Sequence, residues 1–236
     1  MQRYFAKDIK ENKLILYDSD IHHIKKVMRM NVNDMIEVVC SSTCYLCKIT
    51  DLNNFNIIVL DTIKQDRELN SHIIIAAPLV KEQKIDLILQ KTTELGVKEI
   101  IPTLMERCNV KLDKDRYDKK KARWESICKE ASEQSMRTSI PVVGNICKLK
   151  DIVNIPADLK LVCSTKEIDK NLKYYLQNKS SCGRILLVIG PEGGISDNEE
   201  EYLVNNGFNR VSLGKRILRV ETACIYACSV ISYEME

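Results

Sequence analysis

Two short segments near the carboxyl end hold the residue types with the clearest chemistry. Gly190-Pro191-Glu192-Gly193-Gly194 follows the apolar run 184–189 and precedes Ser196, which begins a helix with Glu199 three residues on, a capping box. Three glycines at the end of a buried strand either let backbone approach a ligand closely or make a tight turn. The pattern is not G-x-G-x-x-G, and Asp197, Glu199 and Glu200 would repel a pyrophosphate at that helix N-terminus, so the dinucleotide fingerprint is absent. The second segment, Lys215-Arg216-Ile217-Leu218-Arg219, follows Gly214 and leads to Glu221 and a final helix. Fixed cations beside a carboxylate suit charge stabilisation and proton transfer, and they also suit a plain basic loop. A third cluster, Cys40, Cys44 and Cys47, has the spacing of an iron-sulfur motif, and with His22 or His23 it would make a zinc set. These cysteines fall across an apparent hairpin, where buried thiols are the better reading, and no metal is expected.

The elements that would position these residues divide near residue 70. Before it, short β-like runs (14–16, 35–39, 45–49 and 55–60) are punctuated by Asn, Asp and Ser and interrupted by one helix at about 19–30. That pattern predicts a small antiparallel barrel. After it, strands alternate with long helices, the signature of a largely parallel sheet with crossover helices. Ile85, Ile88, Leu89, Thr92 and Leu95 share one face of a helix over 81–95 that Gly96 ends. Strands are expected at 73–77, 99–103, near Val142, Leu161 and Leu186, and at 209–213, with a long helix at about 119–135. The expected domains are therefore 1–70 and 71–236.

Composition sets the outer limits. The 236 residues are 44% hydrophobic and 29% charged, with 8 Gly and 5 Pro, which excludes a disordered, collagenous or coiled-coil chain. A net charge of +3 is compatible with nucleic acid without requiring it. The amino end is charged where a secretory signal needs apolar residues, and no run is long enough to span a membrane, so a cytoplasmic location is expected. The 10 Cys are scattered and mostly set in apolar runs, which fits reduced, buried thiols.

The two carboxyl-terminal segments, Ile189-Gly-Pro-Glu-Gly-Gly194 and Leu213-Gly-Lys-Arg-Ile-Leu-Arg-Val-Glu-Thr-Ala223, resemble the paired motifs of the bacterial 16S ribosomal RNA (uracil-1498-N3)-methyltransferase family, of the SPOUT superfamily. Arg3-Tyr4-Phe5, the segment 22–30 around His23 and Arg29, the segment 90–97 with Lys91 and Glu94, and the segment 130–137 with Gln134 and Arg137 resemble that family's other signatures in order. The resemblance spans nearly the whole chain. Cys108 stands where the family tends to carry Ser, and Val220 where Thr is common.

The resemblance implies an α/β protein in which a PUA-like, RNA-binding β-barrel (1–70) precedes a SPOUT methyltransferase domain (71–236) with a C-terminal trefoil knot. Hydrophobic periodicity cannot show a knot. It implies S-adenosylmethionine as methyl donor, S-adenosylhomocysteine as product, no metal, a homodimer, and 16S ribosomal RNA or the small ribosomal subunit as partner, with no membrane. The donor site would comprise Ser164, Thr165, Ile189, Gly190, Pro191, Glu192, Gly193, Gly194, Ser212, Leu213, Gly214, Ile217 and Leu218. Arg219 would stabilise the uracil anion, and Glu221 would orient it or act as base. Arg3, Tyr4, His23, Arg29, Lys91, Glu94, Gln134 and Arg137 would face RNA. The basic run 111–123 would touch phosphates or be a solvated connection. A catalytically idle RNA-binding protein on the same fold, or an iron-sulfur or zinc protein through Cys40, Cys44 and Cys47, are the competing readings.

Overall fold

The structure is a computed structural model and describes residues 1–10, 13–65, 67–110, 114–177 and 183–236. The first residues of the basic run 111–123 lie outside the described residues, as do Glu11 and Cys182. The chain divides into two compact units, Met1–Glu68 with Ser132–Ser139, and Leu69–Ala131 with Ile140–Glu236.

In the first unit, β1 (Gln2–Phe5) is followed by the hairpin of β2 (Asp8–Lys10) and β3 (Lys13–Ile15), by α1 (Asp18–His22), and by β4 (Met35–Cys40), β5 (Thr43–Asp51) and β6 (Asn56–Ile63). The sheet order is β1-β4-β5-β6. β1 pairs parallel with β4, which corrects the expected all-antiparallel arrangement. The long connection between those two strands, carrying a hairpin and a helix, is what permits parallel pairing. The expected single helix over 19–30 changes character midway: residues His23–Val27 form a π-helical turn, with Met28 N–H donating to His23 O at 2.9 Å. Tyr4, Leu14, Leu16, Ile24, Ile36, Val38, Cys47 and Ile49 form this unit's core.

The second unit is built on a parallel sheet of β7 (His72–Pro78), β8 (Glu99–Leu104), β9 (Val142–Val143), β10 (Cys147–Lys148), β11 (Leu159–Cys163), β12 (Arg184–Val188) and β13 (Asn209–Val211). Their order is β10-β8-β7-β12-β11-β13, with β9 beside β8. The helices are α2 (Glu82–Glu94), α3 (Lys114–Gln134), α4 (Leu149–Ile152), α5 (Leu172–Leu176), α6 (Asp197–Asn205) and α7 (Val220–Met235). Successive residues of β7 are buried on opposite faces, as a sheet covered on both sides requires. Ile73, Ile75 and Ala77 join one core with Ile88 of α2, Trp124 of α3 and Cys228 of α7, while Ile74 and Ala76 join another with Leu149, Ile152 and Leu203. Gly96, at φ +84°, ends α2 in the left-handed region, and a Cβ there would lie 2.7 Å from Leu69 Cδ1. The strand expected over 209–213 stops at Val211, because Ser212 N–H turns away to donate to Lys170 O at 2.8 Å. Among the described residues no helix is long and apolar enough to cross a membrane.

Candidate functional site: a cleft at the carboxyl ends of three parallel strands

β12, β11 and β13 are neighbours, so the loops that follow them emerge side by side. Together they enclose a cleft of ≈ 590 Å³. That lies in the range of roughly 300–1,000 Å³ found for small-molecule sites. Cys163, Ser164 and Thr165 line it from the first loop, Ile189 to Gly194 from the second, and Leu213, Gly214 and Arg216 to Arg219 from the third. Val220 and Ala223 of α7 and Lys84 of α2 complete the lining. Ser212 stands behind it, buried, its Oγ accepting from Gly214 N–H at 3.2 Å and so shaping the turn.

Each loop is held by its own hydrogen bonds. Ser164 donates from its backbone N–H to Val211 O at 3.0 Å and from Oγ to Glu200 Oε1 at 3.0 Å. The Arg210 guanidinium neutralises that buried carboxylate. In the glycine loop, Gly194 N–H donates to Pro191 O at 2.8 Å, and Gly194 sits at φ +72°, a region that disfavours any side chain. The capping box forms between Ser196 and Glu199, and Glu199 Oε1 also accepts from Glu106 N–H at 2.8 Å. The glycine loop is thereby tied to the segment after β8.

The charged groups gather on one wall. Lys84 Nζ donates to Glu192 Oε1 at 2.9 Å and lies 3.7 Å from Glu221 Oε2. Burial pushes the Glu192 carboxyl upward, but the hydrogen bond from Lys84 and neighbouring cations outweigh it and leave the group below its usual 4.5. The same hydrogen bond raises the Lys84 ammonium above 10.5. Glu221 Oε2 is buried and accepts no hydrogen bond. Arg219 precedes the first turn of α7, its carbonyl accepting from Ala223 N–H at 2.8 Å while its side chain is exposed. A backbone-lined cleft with an exposed cation and a carboxylate oxygen that accepts no hydrogen bond among the described residues can hold a nucleoside-sized ligand and handle a proton beside it.

The residues expected to meet RNA behave differently from one another. Arg3 has a fully buried side chain that pairs with Glu37 and donates to the carbonyls of Met136 and Arg137. Tyr4 is buried and its hydroxyl lies 3.0 Å from His23 Nδ1. Arg137 is buried against Glu68, 2.9 Å away. These three therefore hold the first unit together: the guanidinium groups of Arg3 and Arg137 serve as counter-ions and carbonyl caps, and the Tyr4 hydroxyl is committed to His23. Arg29 and Gln134 are exposed, and Lys91 pairs with Glu94 at 2.9 Å on α2. Lys84 and Arg107 were not singled out from the sequence, although each follows the carboxyl end of a parallel strand, the position that could have flagged them.

Cys44 and Cys47 are buried, and desolvation together with the neighbouring Cys44 pushes the Cys47 thiol up to about 12. Among the described residues no group of three His, Cys, Asp or Glu side chains is placed to hold a metal ion.

Residues 67–232 match the family model described as an RNA methyltransferase domain, and residues 16–61 match the one described as an RNA methyltransferase PUA domain. The class defined by fold and cleft is thus the RNA methyltransferases of two-part architecture. A protein of Bacillus subtilis named ribosomal RNA small subunit methyltransferase E is 35% identical over 100% of this chain and 98% of its own length. The crystal structure of ribosomal RNA small subunit methyltransferase E from Neisseria gonorrhoeae, bound to S-adenosylmethionine, superposes with a TM-score of 0.88 at 30% identity, covering 99% of this chain and 97% of that one. A Legionella pneumophila protein with the cofactor bound gives a TM-score of 0.90 at 29% identity, with 99% and 97% covered. The chain belongs to the ribosomal RNA small subunit methyltransferase E family.

Proposed function

We propose that this protein methylates N3 of one uridine in 16S ribosomal RNA, with S-adenosylmethionine as donor. The observation that carries this reading is the glycine-lined cleft of ≈ 590 Å³ with Arg219 in its wall and Glu221 beside it. The fit is chemical as well as volumetric: Gly190, Gly193 and Gly194 line the cleft with backbone, and Ile189, Leu213 and Leu218 give an apolar bed for an adenosine. When bound, the donor supplies a methyl carbon already activated by a sulfonium leaving group, so alignment is the protein's main task.

Uridine N3 carries a proton that must leave before the nitrogen lone pair can react. Glu221 Oε2, buried without a hydrogen bond, accepts that proton, and the electron pair of the broken N–H bond stays on N3. The exposed guanidinium of Arg219 stabilises the anion spread over N3, O2 and O4. The target uridine is unpaired or extruded, since a stacked base cannot reach the cleft.

Residues 1–70 serve as a PUA-like barrel for RNA, with His23, Arg29 and the neighbouring Lys25 and Lys26 as its contacts. Residues 71–236 serve as the SPOUT domain with a C-terminal trefoil knot, a reading supported by the resemblance of segments 189–194 and 213–223 to that superfamily's paired motifs. Ile217, Tyr226 and Tyr233 are exposed apolar groups suited to a homodimer contact. Mass mapping of methylated nucleosides in ribosomal RNA from cells with and without the gene tests the proposal. Loss of one N3-methyluridine supports it, and an unchanged map sinks it. Calorimetry with S-adenosylmethionine separates the idle-module reading, which expects no binding at millimolar ligand.

A further inference from the structure

The cleft wall contains a cation that neither the glycine loop nor the final helix supplies. Lys84 lies in the first turn of α2, just beyond β7, and reaches two carboxylates from separate parts of the chain. Glu192 belongs to the loop after β12 and is 2.9 Å from Nζ. Glu221 belongs to the first turn of α7, and its Oε2 is 3.7 Å from the same nitrogen. The first contact is a hydrogen bond; the second is an ion pair that leaves Oε2 open as an acceptor. The three side chains are 28%, 31% and 15% exposed, so the cluster is shielded without being sealed. A surface lysine would spend its charge on solvent, and this one is committed to two elements that bound the same cleft.

We propose that Lys84 is a positioning residue for methyl transfer: its ammonium, anchored on Glu192, fixes where the Glu221 carboxylate stands to receive the uracil N3 proton. This rests on the function proposed above. Lys84 touches neither reacting atom in this scheme and acts through Glu221. An ammonium has three donors on a flexible stem, so one hydrogen bond to Glu192 leaves capacity to hold Glu221 by charge alone. Small misplacement of a proton acceptor is enough to lower turnover by about 100-fold, even when nothing else in the site changes.

The test uses the full-length protein with small ribosomal subunits lacking the modification, and measures kcat, KM for donor, and the S-adenosylhomocysteine Kd by calorimetry. Lys84→Met is expected to lower kcat by about 10-fold to 100-fold while the Kd changes by less than about 3-fold. Lys84→Arg should restore most of the lost turnover. In a Glu221→Gln background, Lys84→Met should add little further loss, since both changes act on one device. Wild-type kcat in Lys84→Met, or losses that multiply independently in the double variant, overturns the inference. A loss that appears wholly as weaker S-adenosylhomocysteine binding also overturns it and makes Lys84 a cofactor clamp. An inactive wild-type protein would instead remove the proposed function itself.

Discussion

Arg107 donates from Nη1 to the carbonyl of Gly193 at 3.0 Å, so the segment after β8 braces the glycine loop after β12. The two residues share one space: a Cβ on Gly193 would lie 3.1 Å from Arg107 Cβ and 3.6 Å from its backbone oxygen. The loop that lines the cleft is therefore held from behind and has little freedom to retreat.

Gly193→Leu is expected to abolish donor binding while preserving the fold. The new side chain would start against Arg107, so its bulk must displace the brace and shift the loop that lines the cleft. Calorimetry with S-adenosylmethionine should give no measurable heat at millimolar ligand, with an unchanged far-UV circular dichroism spectrum. Binding within about threefold of wild type would mean that the cleft is not the donor site.

Arg219→Ala should lower methylation by at least ~100-fold, the scale for loss of one charge-stabilising group. The side chain is exposed and makes no hydrogen bond within the described residues, so the melting temperature should not move. Single-turnover rates on ribosomal subunits check this, and a near-normal rate removes Arg219 from the chemistry.

Arg3→Ala should act on stability and not on RNA affinity. Its guanidinium is wholly buried, and its removal strands the Glu37 carboxylate and uncaps the carbonyls of Met136 and Arg137. A cost of about 3–5 kcal/mol is expected for breaking such a buried pair. Urea unfolding measures it, and a variant as stable as wild type with weakened RNA binding would reverse the assignment.

His72 gives the fold a pH dependence of defined sign. Burial, with a smaller contribution from Arg184, lowers its imidazole below 6.5, against the opposing pull of Glu99. The folded state thus disfavours the proton. Stability from this residue is fully present above pH 6.5 and is lost as pH falls through the lowered folded value. Thermal melts between about pH 7.5 and pH 5 should decline more steeply for wild type than for His72→Gln. Parallel curves for the two proteins would refute this.

Much of this layout was legible in the sequence because it rests on periodicity and capping. The apolar face of α2, the Gly96 stop and the Ser196–Glu199 box are local patterns, and the structure places them at Glu82–Glu94, at φ +84° and at the start of α6. The cleft-lining loops were legible as well, since glycines and cations stood at strand ends. The fate of Arg3, Tyr4 and Arg137 was not. A polar residue near a chain terminus looks solvated until a distant carboxylate and distant carbonyls are brought to it, and those partners lie 34, 133 and 134 positions away for Arg3. Lys84 was hidden for the same reason, its partner Glu192 being 108 residues further along.

The membership of Ser132–Ser139 in the amino-terminal unit bears on biosynthesis. A ribosome that has made only the first 70 residues has released β1 to β6, yet Arg3 and Glu68 still await the carbonyls and guanidinium of a stretch not yet translated. The unit that starts first cannot finish first. A fragment cut at the apparent boundary inherits the same deficit: Glu68 loses the Arg137 counter-ion, and Arg3 keeps Glu37 but loses the carbonyls of Met136 and Arg137.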